Sequence, residues 1–330
     1  MLAALSFLLV ATLPFLWHAL RRNSSFRLHK IAFYTAFSGE LYARGQDQYR
    51  AAQIAVSRAN TSAPIEQYYT ITAVDDTGHA SRAAIVAPIA SEDPAINSVV
   101  CCSTEPALQA VLKLLRNGQH LYSLLIPAPS PSLTVQLATQ RFFLGKVLIL
   151  HTSSTSHYVT TLASAFRAKG WVAAVQSVSL SSGTPPDVIA AQATSAHPTL
   201  IYLDTSYPDA ATLALALRAA GVTAPILGDA RLDGVVPTNL LRSVIDWWYI
   251  APDRNKLLAL AGPGFLSAFT QAAGHPPSDW DIVAFLQTQA ALDHHTPLYL
   301  ASISQVLYQG SSVYPREPVQ QEQGKVFSPS

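Results

Sequence analysis

Hydroxyl and thiol side chains stand together at one place in the sequence where a strand is expected to end. In the stretch VVCCSTEPALQAVLKLL (residues 99–115), two β-branched residues precede Cys101, Cys102, Ser103 and Thr104. The proline and the apolar pattern that follow predict a helix beginning there. Hydroxyls and free backbone amides at a helix N-terminus can bind a carboxylate without a cationic side chain. The stretch therefore predicts an anion-binding loop, with the alternative that Ser103 is only the helix N-cap.

The chain has two cysteines, and they are adjacent. Neighbouring residues of a strand point to opposite faces, so we expect Cys101 and Cys102 to pair poorly and to pack as small apolar side chains. A metal site needs further ligands at suitable spacing, and the sequence contains no such set. We therefore predict neither a metal nor a cofactor.

Motifs for catalysis are missing from the sequence. It contains no Gly-x-Ser-x-Gly, no His-Glu-x-x-His and no glycine-rich phosphate loop. Charged residues make up 12% of the chain, hydrophobic residues 49%, and the net charge is +1. This balance argues against nucleic acid as a partner, because neutralising phosphates requires a basic surface. The absence of these catalytic motifs argues against an enzyme.

Strand and helix patterns alternate after about residue 28, and this order must position the polar loops. The first series runs from residue 30 to residue 129, and the pattern restarts at residue 145. Pro88 is expected to shorten one helix, and Gly118 is expected to end the helix that begins at residue 105. Repeated βαβ units with continuous apolar strands predict parallel sheets covered by helices. The fold class is therefore α/β, with two doubly wound, Rossmann-like lobes.

The N-terminus carries an apolar run, MLAALSFLLVATLPFLWHAL, followed by Arg21 and Arg22. Twenty helical residues are just long enough to cross the hydrocarbon core of a bilayer. We therefore expect residues 1–22 to be a transmembrane anchor or a signal-like segment. No positive residue precedes the run, as one would in a signal peptide, and the basic pair follows it instead. The other interpretations are a membrane segment whose upstream part is missing and an apolar helix of a soluble protein.

Several stretches in this order resemble the type I periplasmic binding proteins, specifically the leucine/isoleucine/valine-binding group that serves ABC importers. The resemblance spans about residues 28–300, and no single motif in it is specific. Its stretches are FSGELYARGQDQYRAAQIAVSRAN (37–60), VDDTGHASRAA (74–84), STEPALQAV (103–111), IPAPSPSLT (126–134), AGVTAPILGDA (220–230) and GHPPSDWDIVAF (274–285).

The resemblance implies two lobes, joined by three crossovers, that close on a ligand. Lobe 1 would comprise residues 28–138 and 252–305. Lobe 2 would comprise residues 139–251 and part of 306–330. The stretch DWWYIAP (246–252) would then be a crossover.

The resemblance also implies ligand contacts. The carboxylate-binding serine of the family falls at Ser103 or Cys102, because the loop is one residue shorter here, and Thr104 follows. In the next loop, Ala128 and Ser130 align with a backbone carbonyl and a hydroxyl that hold the ligand. Ser130 could instead be only a turn residue.

Three further positions would lie in the second lobe. Tyr158 aligns with an aromatic residue of the pocket, although its hydroxyl could instead lie in water. Ser206 stands where the family has a tyrosine, and Tyr207 comes next. Asp229 is the candidate carboxylate for a ligand ammonium, possibly one residue out of register, with Ala230 at the position itself. A buried ammonium without a carboxylate would cost several kcal/mol.

Two functions are therefore expected. The first is an extracytoplasmic solute-binding protein, periplasmic or at the cell surface, that closes on an amino acid or a related amide or carboxylate and presents it to an ABC permease. The alternative is a ligand-sensing domain of a membrane-anchored signalling protein. In both cases the N-terminal segment would export the chain or attach it to the membrane.

Overall fold

The computed structural model describes residues 27–64, 67–151, 156–177, 184–205, 209–232, 247–298 and 300–309. Contacts divide the chain into two compact units. Unit 1 comprises Met1–Leu125 and Leu260–Leu298, and unit 2 comprises Ile126–Ala259 and Tyr299–Ser330. The chain thus passes between the units three times, as the predicted fold class requires. The apolar segment 1–22 lies outside the described residues.

The strands and helices alternate along most of the chain. The strands are β1 (Arg27–Thr35), β2 (Gln67–Asp75), β3 (Ile96–Cys101), β4 (His120–Ser123), β5 (Lys146–His151), β6 (Val172–Ser177), β7 (Leu200–Asp204), β8 (Ile226–Asp229), β9 (Trp247–Pro252) and β10 (Gln305–Gln309). The helices are α1 (Tyr42–Ser62), α2 (Ala80–Val86), α3 (Pro88–Glu92), α4 (Glu105–Leu112), α5 (Pro131–Arg141), α6 (Ser156–Ala168), α7 (Pro186–Ala196), α8 (Asp209–Ala219), α9 (Arg254–Ala261), α10 (Phe265–Ala273) and α11 (Asp279–Leu292).

Unit 1 is built on a parallel sheet in the order β2-β1-β3-β4. Strand β3 and residues 31–35 of β1 are mostly buried, as expected for a sheet covered by helices. The core includes Tyr34, Val99 and Val111. Since β1 lies between β2 and β3, the winding of the chain reverses between β1 and β3. Ligands of open α/β sheets bind at such a switch point, beyond the carboxyl ends of the strands.

Helix α1 sets one wall of this switch point. Its buried residues, at three- and four-residue spacing, include Gly45, Gln48, Ala52 and Ala55. A Cβ atom on Gly45 would overlap the carbonyl oxygen of Ala36. Glycine at this position therefore allows the helix to approach the loop after β1 closely enough to bring Gln48 to the end of the strand.

Unit 2 repeats the same arrangement in a sheet of order β6-β5-β7-β8-β9-β10, in which only β10 is antiparallel among the described strands. Its switch point lies between β5 and β7. The core includes Ile149, Leu162, Phe166 and Trp171. Helix α5 contributes to this core as well.

The lobe boundaries expected from the sequence differ from this division. Residues 126–138 were expected in lobe 1, but α5 packs into the core of unit 2. The expected crossover 246–252 coincides with β9, which pairs with β8 and β10 within the sheet of unit 2. An apolar strand that is buried on both faces and a buried crossover segment carry the same residue types, which explains the difference.

Two local expectations have opposite outcomes. Pro88 divides the expected helix into α2 and α3, as predicted. The prediction that the next helix extends to Gly118 is wrong, because α4 ends at Leu112. Beyond it, the backbone N–H of Arg116 donates to the side chain of Gln119, and both side chains bond to the carbonyl of Ile96. These bonds replace the helical pattern with turns.

Within the part of the chain that the structure describes, no helix is both long enough and apolar enough to cross a membrane.

Candidate functional site

Three uncharged polar side chains meet at the switch point of unit 1. The hydroxyl of Thr35, the last residue of β1, donates to Gln48 Oε1 at 2.8 Å. Thr35 Oγ1 also lies 3.2 Å from the Oγ of Ser103, a residue that follows the end of β3. Ser103 is only 4% exposed and Gln48 is fully buried. Gln48 Nε2 is buried without a hydrogen-bond partner, and such an atom in a native structure calls for an explanation.

Thr104, not Ser103, caps the following helix. Thr104 Oγ1 accepts from the backbone N–H of Ala107 at 3.4 Å and donates to the carbonyl of Gly78 at 2.7 Å. The alternative that Ser103 is only an N-cap is therefore wrong. As a ligand contact, Thr104 stays a prediction, and its hydroxyl already has two partners in the structure.

Cys101 and Cys102 are fully buried and belong to the core of unit 1, but they are joined by a disulfide. The expectation that they pair poorly is wrong, because it assumed that both residues lie in the strand. β3 ends at Cys101, so Cys102 lies outside the strand and need not follow the alternation of its side chains. The role of Cys102 as a ligand contact stays a prediction.

Asp76 lies beside this disulfide. One carboxylate oxygen and the two sulfur atoms lie within 4.8 Å of one another, a grouping that sequence spacing did not reveal. We assign no metal site here, because the sulfur atoms are bonded to each other. Burial raises the pKa of the Asp76 carboxyl to about 6, with Asp75 adding to the effect and the N–H of Gly78 opposing it.

In unit 2, the phenol of Tyr158 contacts the loop before α5, helix α5 itself and strand β7. It donates to the carbonyl of Pro129 at 3.0 Å and lies 3.2 Å from the hydroxyl of Tyr202 and 3.4 Å from Thr134 Oγ1. Burial raises the pKa of Tyr158 to about 12, and the carboxylates of unit 2 contribute to this rise. The phenol is therefore neutral at physiological pH and is held by protein groups.

Two carboxylates share one guanidinium at the ends of β7 and β8. Arg231 Nε lies 2.9 and 3.0 Å from the two oxygens of Asp229, and Arg231 Nη2 bonds to both Asp229 and Asp204. Burial lowers the pKa of Arg231, but the two carboxylates outweigh this and hold it well above its usual value. This charged triad (Asp204, Asp229 and Arg231) carries one net negative charge.

The triad leaves buried polar atoms without partners. Asp204 Oδ2 and the hydroxyl of the next residue, Thr205, have no hydrogen-bond partner and are buried. Asp204 also stands opposite His151 in the register of β5 and β7, so it lies at the switch point. Asp229, by contrast, uses both of its oxygens on Arg231.

The remaining predicted residues are placed as follows. Ala128 and Ser130 belong to unit 2, and both are exposed. Ser130 is the N-cap of α5, where its hydroxyl accepts from the N–H of Leu133 at 3.3 Å. Pro129 lies between these two residues, and its carbonyl accepts a hydrogen bond from the hydroxyl of Tyr158. Ser206 and Tyr207 lie outside the described residues.

Sequence reasoning missed Thr35, Gln48, Asp204 and Arg231. Thr35 and Asp204 had a detectable signal, because each is a polar residue that ends an apolar strand and strand ends meet at the switch point. Gln48 lies in the middle of a helix, and Arg231 pairs with a residue 27 positions away. Neither of these contacts follows from local spacing.

Neither family models nor curated protein sequences show a match to this chain. Solved structures do. The leucine-binding protein LivK of Thermotoga maritima is 16% identical, with a TM-score of 0.67 over 80% of this chain and 82% of that one. LivJ of Streptococcus pneumoniae, a branched-chain amino acid transporter substrate-binding protein in complex with isoleucine, is 18% identical, with a TM-score of 0.63 over 79% and 82%.

A third solved structure has a different ligand. The solute-binding protein of an ABC transporter from R. palustris, in complex with benzoate, is 11% identical, with a TM-score of 0.65 over 86% of this chain and 93% of that one. At these identities the similarity concerns the fold. The resemblance drawn from the sequence is confirmed at that level: the chain has the type I periplasmic-binding-protein fold.

Proposed function

We propose that this protein is a solute-binding protein that binds a small polar ligand and has no enzymatic activity. The observation that carries the proposal is the presence of unpartnered, buried polar atoms at both switch points. Gln48 Nε2 in unit 1 and Asp204 Oδ2 and Thr205 Oγ1 in unit 2 occupy the positions at which α/β sheets bind ligands. A solute bound at either switch point would supply a partner for the atoms there.

The ligand class follows from the charges at these positions. The charged triad in unit 2 has a net charge of −1, and Asp204 Oδ2 is its unpartnered oxygen. Asp204 is therefore a better candidate than Asp229 for the group that meets a ligand ammonium. In unit 1, the backbone N–H of Glu105 at the start of α4 can receive a carboxylate, whereas Pro106 has no N–H and the N–H of Ala107 donates to Thr104. We propose an amino acid or a related amide or carboxylate as the ligand.

The proposed partner is an ABC permease, as it is for the transporter proteins that share the fold. The chain would then act outside the cytoplasm, and residues 1–22 would either direct its export or anchor it. Fractionation of cells that express the full-length gene product tests this part. We expect the protein in the membrane or the extracytoplasmic fraction, and recovery entirely from the cytoplasm would contradict the proposal.

A ligand screen tests the central claim. The wild-type protein is heated with each of the common amino acids, their amides, and small aliphatic and aromatic carboxylates. At 100 times the dissociation constant, a ligand stabilises the folded state by about 2.7 kcal/mol, a shift that thermal unfolding detects. We expect one chemical class to produce it. If no compound in the panel shifts the unfolding temperature, the proposed function is wrong.

Two variants connect the screen to the site. Asp204→Asn should abolish the shift caused by an ammonium-bearing ligand. Arg167→Gln is its control, because Arg167 is an exposed residue of unit 2 that bonds to the carbonyl of Ala173. Equal binding by both variants would place the ligand elsewhere. The solved structures reported above lend no support to the alternative of a signalling domain.

A further inference from the structure

The three polar side chains at the switch point of unit 1 form a relay of hydrogen bonds whose direction can be deduced. We call Ser103, Thr35 and Gln48 the hydroxyl relay. A carboxamide oxygen only accepts hydrogen bonds, so the contact of 2.8 Å to Gln48 Oε1 uses the single hydroxyl proton of Thr35. Thr35 Oγ1 can then only accept in its contact of 3.2 Å with Ser103. The hydroxyl proton of Ser103 must therefore point at Thr35.

This direction has a consequence for ligand selection. With its proton committed to Thr35, Ser103 Oγ has only lone pairs to offer to any further group. A carboxylate oxygen would meet these lone pairs and be repelled, whereas an N–H or O–H group would be accepted. Because the relay is buried, water cannot readily supply an alternative proton arrangement.

We propose that Thr35 and Gln48 are positioning residues that make Ser103 a hydrogen-bond acceptor, so that Ser103 selects a ligand group carrying an N–H or O–H. The inference rests on the proposed function and narrows it. It assigns to the side chain of Ser103 a role different from the carboxylate contact expected from the sequence. A ligand carboxylate is left to the backbone N–H of Glu105 at the start of α4.

The test compares compounds that differ only at one group. Isoleucinamide and isoleucine form one pair, and benzamide and benzoate form another; in each pair the amide has an N–H donor where the acid has only oxygen. Dissociation constants are measured by calorimetry at pH 7, where the α-ammonium group of isoleucinamide is still largely protonated, for the wild type and for Thr35→Val. The substitution keeps the shape of the side chain, removes the relay, and frees the proton of Ser103 to donate.

We expect Thr35→Val to lower the preference for the amide over the acid by at least tenfold in whichever pair binds. Gln48→Glu should not lower the wild-type preference, because a carboxylate at this position also only accepts from Thr35 and its charge disfavours the acid. Thr288→Val is the control, since Thr288 is a buried residue of unit 1 whose hydroxyl donates to the carbonyl of Ala284 and takes no part in the relay.

Three results would overturn the inference. An unchanged preference in Thr35→Val, with its fold intact by circular dichroism, would refute the selection role while leaving the proposed function standing. A lowered preference in Gln48→Glu would show that an acceptor at position 48 does not set the direction of the relay. If none of the four compounds and no member of the wider panel binds, the proposed function and this inference fail together.

A measurement without any ligand decides the direction of the relay. Neutron diffraction from crystals soaked in heavy water locates the deuterons of buried hydroxyls. We expect the deuteron of Thr35 to point at Gln48 Oε1 and that of Ser103 to point at Thr35. A deuteron of Thr35 that points at Ser103 would overturn the inference regardless of the binding results.

Discussion

The two units share a strand order but differ in the chemistry at the switch point. In each unit the first strand lies between the second and the third, so polar residues gather at the same place. Unit 1 places two hydroxyls and a carboxamide there, without a formal charge. Unit 2 places two carboxylates and a guanidinium there, with two phenols nearby. The comparison teaches that the fold determines where a ligand group is received, and individual side chains determine which group it is.

The difference also has an energetic side. A buried ion pair gives little net stability, but removing one partner is costly because the other charge stays behind. A hydroxyl relay loses much less when one member is removed, since no charge is left uncompensated. Unit 2 should therefore be the unit that is sensitive to substitution at its switch point.

Among the substitutions considered, Arg231→Met in unit 2 should lower the free energy of unfolding most. It leaves the carboxylates of Asp204 and Asp229 close together and unpaired, which we expect to cost about 3–5 kcal/mol in the free energy of unfolding. Urea unfolding at pH 7 measures this cost. Arg167→Met, at an exposed arginine of the same unit, should cost less than about 0.5 kcal/mol. If both substitutions lowered the free energy of unfolding equally, Arg231 would not stabilise the folded protein through its two carboxylates.

Asp76→Asn tests the buried carboxyl of unit 1 that lies beside Cys101 and Cys102. The pKa of Asp76 is raised from 3.8 to about 6 in the folded protein, so the folded state holds this proton more tightly than the unfolded state. Stability from this group is complete below about pH 4 and is lost as the pH rises through 6. A difference of about 2 in pKa corresponds to about 3 kcal/mol.

The measurement is the free energy of unfolding between pH 4 and pH 7, by urea titration. We expect Asp76→Asn to flatten the decline that the wild type shows over this range. Asp93→Asn serves as the control, because the pKa of Asp93 is lowered, so its contribution to stability is lost only below about pH 4 and stays nearly constant over this range. A parallel decline in wild type and Asp76→Asn would contradict the raised pKa.

Asp229→Asn and Asp204→Asn separate pairing from ligand binding within the charged triad. Asp229 binds Arg231 with both oxygens, and we expect its loss to cost about 2 kcal/mol in stability. Asp204 has one unpartnered oxygen, so its loss should cost about 1 kcal/mol but weaken isoleucine binding at least tenfold. Unfolding and calorimetry measure the two effects, and the opposite ranking would assign the ammonium to Asp229.

Thr104→Ala and Ser130→Ala give the smallest effect and compare one helix cap from each unit. Each hydroxyl accepts from a backbone N–H of the first helical turn. We expect each substitution to cost about 1 kcal/mol in stability and to change ligand affinity by less than twofold. A tenfold loss of affinity in either variant would restore that residue to the ligand site predicted from the sequence.

The sequence was sufficient for most of the fold. Continuous apolar strands between amphipathic helices predicted two parallel sheets, and Pro88 predicted the break between α2 and α3. It was less informative about boundaries. β9 could not be told from a crossover, because WWYIAP is apolar in either role, and α5 could not be assigned to a unit before its packing was known.

The candidate site divides in the same way. The order of residue types by itself determined that polar groups gather at strand ends and helix starts, since strand periodicity and capping are local properties of the chain. Only the tertiary structure decided that Gln48 meets Thr35 and Ser103, and that Arg231 neutralises Asp229 and leaves Asp204 with an unpartnered oxygen. The physical reason is that these contacts join residues far apart in the chain, and the charge or proton that each atom has left depends on all of its partners at once.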